Sequence, residues 1–110
     1  MELTYKNQKL QELCEDPSCN KELVKRYGKE VAEKLPRRIK ELKAFESVND
    51  IPVNLPYRRH KLTGKLKECF AINITGQYRL IFRPNENNII IEELKEIKRI
   101  EIMEVSKHYE

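Results

Sequence analysis

From Val53 to Lys67 the chain carries no acidic residue, while Arg58, Arg59, Lys61, Lys65 and Lys67 crowd around His60. A phosphate backbone could lie along such a stretch with most of its charge neutralised. Histidine titrates near neutral pH, and the surrounding cations favour its neutral form, so His60 is a candidate acid or base. The bland alternative is an ordinary surface histidine or a simple phosphate contact. Tyr57 could stack on a nucleotide, although one tyrosine after a proline is better read as packing over a sheet edge. Carboxylates offer less, since Glu92 and Glu93 are adjacent, and Glu101 and Glu104 should point to opposite faces of one strand. No convergent carboxylate pair follows, and metal dependence is not expected. Cys14, Cys19 and Cys69 are odd in number and lack CxxC spacing, with only His60 and His108 as nitrogen ligands. That argues against a zinc site or a disulfide framework, and no cofactor is implied.

These residues need a scaffold, and hydrophobic spacing supplies one. Leu3 and Tyr5 alternate with polar neighbours as in an edge strand, and Leu10, Leu13 and Cys14 follow helical spacing up to the breakers Asp16-Pro17-Ser18. Leu23, Tyr27, Val31, Leu35, Ile39, Leu42 and Phe45 then recur three or four apart along one charged helical stretch. Gly28 and Pro36 interrupt it, which predicts a break at the first or a kink at the second, and hence a helical hairpin or a bent helix. The alternating charges Lys29-Glu30, Glu33-Lys34 and Lys40-Glu41 read as a solvated face. Asn49 to Pro56, with two prolines, ends the helical pattern. Cys69 to Thr75 alternates like a strand, Gly76 permits a turn, and Tyr78 to Arg83 returns, giving a hairpin. After the polar turn Asn85 to Asn88, Ile89 to Ile91 and Ile100 to Val105 read as further strands. Helices followed by antiparallel strands make an α+β domain.

With 110 residues the chain suits one domain, residues 1–110, with a modest core and a shallow active surface rather than a deep cleft. Hydrophobic residues make up 39% and charged residues 36%, so it folds with an unusually charged surface. The net charge of +4 is modest, and its distribution matters more than its size. No apolar run approaches the roughly 20 residues needed to cross a bilayer, and Met1 to Leu10 lacks the apolar middle of a secretory signal. A cytoplasmic location without membrane contact is the expectation.

The segment Arg59-His60-Lys61-Leu62-Thr63-Gly64 resembles the H-x-L-K-G stretch of HigB-type toxins, also called plasmid maintenance killer proteins, within the RelE/ParE superfamily. Ala71-Ile72-Asn73-Ile74 followed by Tyr78-Arg79-Leu80-Ile81-Phe82-Arg83-Pro84-Asn85 resembles the family hairpin, and Ile102-Met103-Glu104-Val105 leads into a similar aromatic and histidine-containing tail. The resemblance is clearest in the C-terminal half. It implies a RelE-like fold, with N-terminal helices packed on a small, mainly antiparallel sheet. It also implies a type II toxin that binds the 16S rRNA decoding site of the ribosome and cuts translated messenger RNA there. Its partner would be a HigA-like helix-turn-helix antitoxin, through which it would reach operator DNA indirectly.

Cleavage by the RNA's own 2′-hydroxyl needs a proton acceptor, a proton donor for the leaving oxygen, and positive groups around the phosphorane. By the resemblance Arg79 holds the phosphate, His60 is the acid or base, and His108 and Tyr109 close the site. Arg58, Arg59, Lys61, Thr63, Lys65, Lys67 and Lys107 are the expected RNA contacts. Two places depart from the family pattern. Thr63 stands where the pattern has lysine, so Lys61 or Lys65 would have to compensate for the lost charge. The D-Y-H ending becomes Lys107-His108-Tyr109, with His108 the better general acid and Tyr109 suited to stacking. Two other readings stand beside the ribonuclease, a ParE-like non-enzymatic inhibitor of DNA gyrase and a catalytically weakened toxin acting mainly within an autoregulatory antitoxin complex.

Overall fold

Val31, Leu35, Ile39 and Leu42, the stripe visible in the sequence, are all buried along helix α3, Lys29–Ala44. They belong to a computed structural model of the chain that describes residues 1–86 and 92–107. Two shorter helices precede α3, namely α1 at Gln8–Glu15 and α2 at Asn20–Tyr27. The Asn7 side chain starts α1 by accepting the Leu10 amide at 2.9 Å, satisfying one of the helix's orphan donors. Of the two expected interruptions, Gly28 is the break. Its φ of 95° suits glycine alone. Its amide closes α2 on the Val24 carbonyl, and its carbonyl opens α3 by accepting from Ala32. Pro36 stays inside α3. An interior proline costs about 3 kcal/mol, but fully burying Leu35, Ile39 and Leu42 around it contributes about 1.5–3 kcal/mol each. The stripe outweighs the proline.

Five strands form one sheet among the described residues: β1 (Glu2–Tyr5), β2 (His60–Lys61), β3 (Phe70–Asn73), β4 (Tyr78–Pro84) and β5 (Arg99–Lys107). They lie in the order β1, β5, β4, β3, β2, with β1 parallel to β5 and the other pairs antiparallel. This is the expected α+β architecture, with β1 as the edge strand read from Leu3 and Tyr5. The Met1 ammonium donates to the Lys43 carbonyl at 2.8 Å and ties that edge to the end of α3. Ile89 to Ile91, read as a strand, lies outside the described residues. The hairpin stands, but glycine's freedom does not hold its turn, because only Gly28 and Gly64 among the described glycines have positive φ. Instead the Thr75 hydroxyl accepts the Gln77 and Tyr78 amides at 3.2 and 3.0 Å.

One face of the sheet joins the helices in the main core, through Phe70, Ile72, Leu80, Phe82, Ile100 and Ile102. The other face holds a small cluster of Cys69, Ala71 and Ile81, packed by Leu62, Leu66 and Met103, to which no helix α1 to α3 contributes. Strand β5 carries one residue more than β4 opposite it, since Ile81 pairs with Glu104 while Phe82 pairs with Ile102. Met103 is the extra residue of a β-bulge. The bulge corrects the expectation for Glu101 and Glu104. Simple alternation would separate them, but their partners Arg83 and Ile81 share a face, so both carboxylates lie on the helix-free side.

Candidate functional site

Directly paired residues of neighbouring strands point to the same side of a sheet. His60, Ala71, Ile81 and Glu104 therefore form one row across the helix-free face, and Asn73, Arg79 and Ser106 form the next. The pairing brings His60 and Arg79, far apart in sequence, onto one shallow surface.

His60 sits at the edge of that surface with its ring fixed by the chain just before it. Arg58 adopts a left-handed conformation, φ 49°, and its carbonyl oxygen lies 2.9 Å from His60 Nδ1. A carbonyl only accepts, so Nδ1 carries the proton, and in the neutral ring Nε2 is left with its lone pair. That is the tautomer of a base. The Arg58 side chain is exposed, whereas Arg59 is half-buried and its Nε donates to the Ile51 carbonyl at 2.8 Å. Burial pushes the Arg59 guanidinium below its ordinary value. Arg59 thus anchors the loop, with its charge partly withdrawn from the surface.

Lys61 pairs with Phe70, the residue type that faces the core, so it is on the opposite side of β2 from His60. Its ammonium meets Glu92 at 3.6 Å. It cannot replace charge missing at Thr63 on the His60 side. Thr63, Lys65 and Lys67 are exposed around a short 3-10 turn at Gly64–Leu66, whose Leu62 and Leu66 pack down on the small cluster. Lys107 is also turned away. It pairs with Tyr78, and its ammonium lies 5.9 Å from the centre of that ring, which in turn packs edge-on against Tyr27 of α2. His108 and Tyr109 lie outside the described residues.

The Arg79 side chain has no hydrogen-bond or ion-pair partner among the described residues, and its Nε is buried. Arg83, by contrast, is spent on Glu101 at 2.8 Å. That pairing also uses the carboxylate, so Glu101 and Glu104 share a face without forming a reactive pair. Below Arg79, the backbone of Asn73 is clamped. Its amide donates to the Tyr57 carbonyl at 2.7 Å, and its carbonyl accepts Arg38 Nε at 3.1 Å. Arg38 is buried, donates to Glu41 at 2.8 Å and stacks 5.1 Å from the Tyr57 ring centre. The Tyr57 hydroxyl closes the loop on Glu41 at 2.8 Å. Tyr57 therefore packs, as its position after a proline implied, and Glu41 departs from the solvated face assigned to it. Asn73, Ser106, Arg38 and Glu41 were missed in the sequence, because strand register alone reveals the first two and the fold alone the others.

No group of three or more His, Cys, Asp or Glu among the described residues could hold a metal ion. Burial pushes the Cys14 thiol up to about 12 and raises that of Cys69 as well. A groove of about 420 Å³ among the helices, lined by Cys14, Leu23, Pro36 and Ile39, contains none of the residues chosen for chemistry. No described helix is long and apolar enough to cross a membrane.

Residues 3–96 match the HigB-like toxin family, described as RelE-like toxins of the type II toxin-antitoxin system HigB. The chain belongs to that family. Its HigB-like match includes the helices and the β3–β4 hairpin but stops before β5, short of the tail that carries His108. Similar solved structures include a YoeB/ParE toxin from Agrobacterium tumefaciens, with 16% identity, TM-score 0.56, and 99% of this chain and 100% of that one covered. A YafQ mutant from E. coli gives 17%, 0.60, 96% and 91%, and a YoeB-YefM complex from Staphylococcus aureus gives 16%, 0.55, 99% and 98%. At such identities these establish the RelE-like fold. No curated protein matches the HigB-like chain.

Proposed function

We propose that this HigB-like toxin is a ribosome-dependent endoribonuclease that cuts translated messenger RNA by attack of its own 2′-hydroxyl. The observation that carries the reading is the shared surface of His60 and Arg79, with the Arg79 guanidinium free of protein partners among the described residues. A guanidinium without a carboxylate is available to hold a phosphate through two parallel hydrogen bonds. His60 Nε2 takes the 2′-hydroxyl proton, the 2′-oxygen bonds to phosphorus, and the bond from phosphorus to the 5′-oxygen breaks. His108, assigned from the sequence, returns a proton to that oxygen, and Tyr109 stacks beside it. The products are a 2′,3′-cyclic phosphate and a free 5′-hydroxyl. Arg58, Lys65 and Lys67 supply exposed charge around the His60 edge for ribosomal and messenger phosphates.

Shallowness supports a substrate presented by a larger body, since an open sheet face cannot by itself grip a single strand as a cleft would. In the resting cell a HigA-like antitoxin would cover or occlude this face, because a free cationic surface must be kept from RNA. Induced expression should arrest growth and create new message ends inside translated frames. If translation stops while message ends stay unchanged, cleavage is the wrong mechanism and gyrase inhibition becomes the reading to test by supercoiling.

A further inference from the structure

Two buried polar atoms on the helix-free face have no partner among the described residues, Asn73 Oδ1 and Arg79 Nε. They belong to directly opposed residues of β3 and β4. Buried polar atoms in proteins are nearly always satisfied, so an orphaned acceptor and an orphaned donor side by side call for an explanation. They do not satisfy one another. Nor is the residue loose, because the Tyr57 carbonyl and Arg38 fix both backbone groups of Asn73 and leave its amide as the only unassigned part. Arg38 is itself held by Glu41 and stacked on Tyr57, so three side chains and the loop before His60 serve to fix the position of one asparagine.

We propose that Asn73 is a positioning residue for the ribose whose 2′-hydroxyl attacks, its side-chain NH2 donating a hydrogen bond to that oxygen while Arg79 holds the adjacent phosphate. The inference rests on the ribonuclease reading. Opposed side chains on neighbouring strands start about 4.5–5.5 Å apart, and an attacking oxygen poised for reaction lies about 3–3.5 Å from phosphorus. An amide beside a phosphate-bound guanidinium therefore falls where the 2′-oxygen must be. An amide NH2 complements the lone pairs of the hydroxyl oxygen and leaves its one proton to His60 Nε2. Through this contact the face would distinguish RNA from DNA, since the 2′-hydroxyl is the group by which the two differ.

The test uses programmed ribosomes whose message is all-ribose or carries one 2′-deoxynucleotide at the cleavage position. Affinity for the ribose form comes from the concentration dependence of single-turnover cleavage, and for the deoxy form from competition against it. The wild-type protein should bind the deoxy message about three- to ten-fold more weakly, as expected for one lost hydrogen bond. Asn73→Ala should bring the ribose form down to the deoxy level and leave the deoxy form unchanged. Asn73→Gln, which displaces the same amide, should do likewise with an unaltered melting temperature. Equal weakening of both messages would show a merely structural role and overturn the proposal, as would discrimination that survives in both variants. Absence of cleavage by the wild-type protein would overturn the ribonuclease reading and this inference with it. Cleavage with undiminished discrimination would overturn only the inference.

Discussion

The carbonyl oxygen of Arg58 lies 2.9 Å from Nδ1 of His60, and Arg58 reaches that position through a left-handed backbone with φ 49°. The contact orients the ring and leaves Nε2 as the acceptor. His60→Gln keeps a donor for the Arg58 carbonyl but removes the base. Its single-turnover cleavage rate should fall by about 10²–10⁴, with ribosome binding retained. An unchanged rate would remove His60 from the chemistry.

Arg79 separates charge from geometry. Arg79→Lys keeps the cation but loses the planar fork, so cleavage should fall by about 10²–10³, the scale of one lost transition-state donor. Lys65→Ala and Lys67→Ala, both exposed, should instead weaken ribosome binding and flatten its salt dependence while leaving the single-turnover rate at saturation. A fully active Arg79→Lys protein would make this residue a point charge only.

Much of this arrangement was legible because it depends on periodicity. The α3 stripe and the β3–β4 hairpin follow from apolar residues at spacings of three, four and two, and the first positive-φ glycine marks the helix break. Register was not legible. A single extra residue, Met103, decides that Glu101 and Glu104 share a face, and bulges leave no signature in hydrophobic alternation. Lys61 and Lys107 were counted as RNA contacts for their charge, yet their strand partners Phe70 and Tyr78 show that they face away from His60 and Arg79. Glu41 looked like one more helix-surface carboxylate until the return of the chain brought Tyr57 onto it.

That same Glu41 makes a contrast with Glu33 one can measure. Glu41 bridges buried Arg38 and the Tyr57 hydroxyl, whereas Glu33 meets Arg37 at 3.6 Å with both side chains largely exposed. Hydrogen bonds to charged groups contribute about 1.5–3 kcal/mol, and exposed helix pairs about 0.3–0.5 kcal/mol. Urea unfolding should therefore show Glu41→Ala destabilised by about 2 kcal/mol, and Glu33→Ala barely at all. Similar losses for the two would mean that the Arg38 network carries no special weight.

Thiol chemistry should also discriminate sites. Cys14 is buried with its thiol pushed up to about 12, and Cys69 is buried and raised as well, so both stay protonated and shielded at pH 8. Cys19 is partly exposed. A thiol-reactive dye should modify Cys19 in the folded protein and the other two only in denaturant. Rapid native labelling of Cys14 would contradict its packing against α3.

Acid should weaken the fold through the helical layer. Burial pushes the Glu15 carboxyl up, but hydrogen bonds from Lys43 and the Tyr5 hydroxyl more than offset it, leaving it below its ordinary 4.5. Glu22 is likewise lowered, chiefly by Lys9, and Asp16 chiefly by the Ser18 amide. A carboxyl depressed in the folded state stabilises it above the unfolded value and loses that contribution as pH falls through the folded value. Stability should thus hold from neutral pH down to about 4.5 and decline below it. Glu15→Gln, which cannot ionise, should be less stable than the wild type at pH 7 and converge with it near pH 3. A gap that stays constant between those two pH values would mean that Glu15 acts through packing, and that its ion pair with Lys43 contributes nothing to the acid transition.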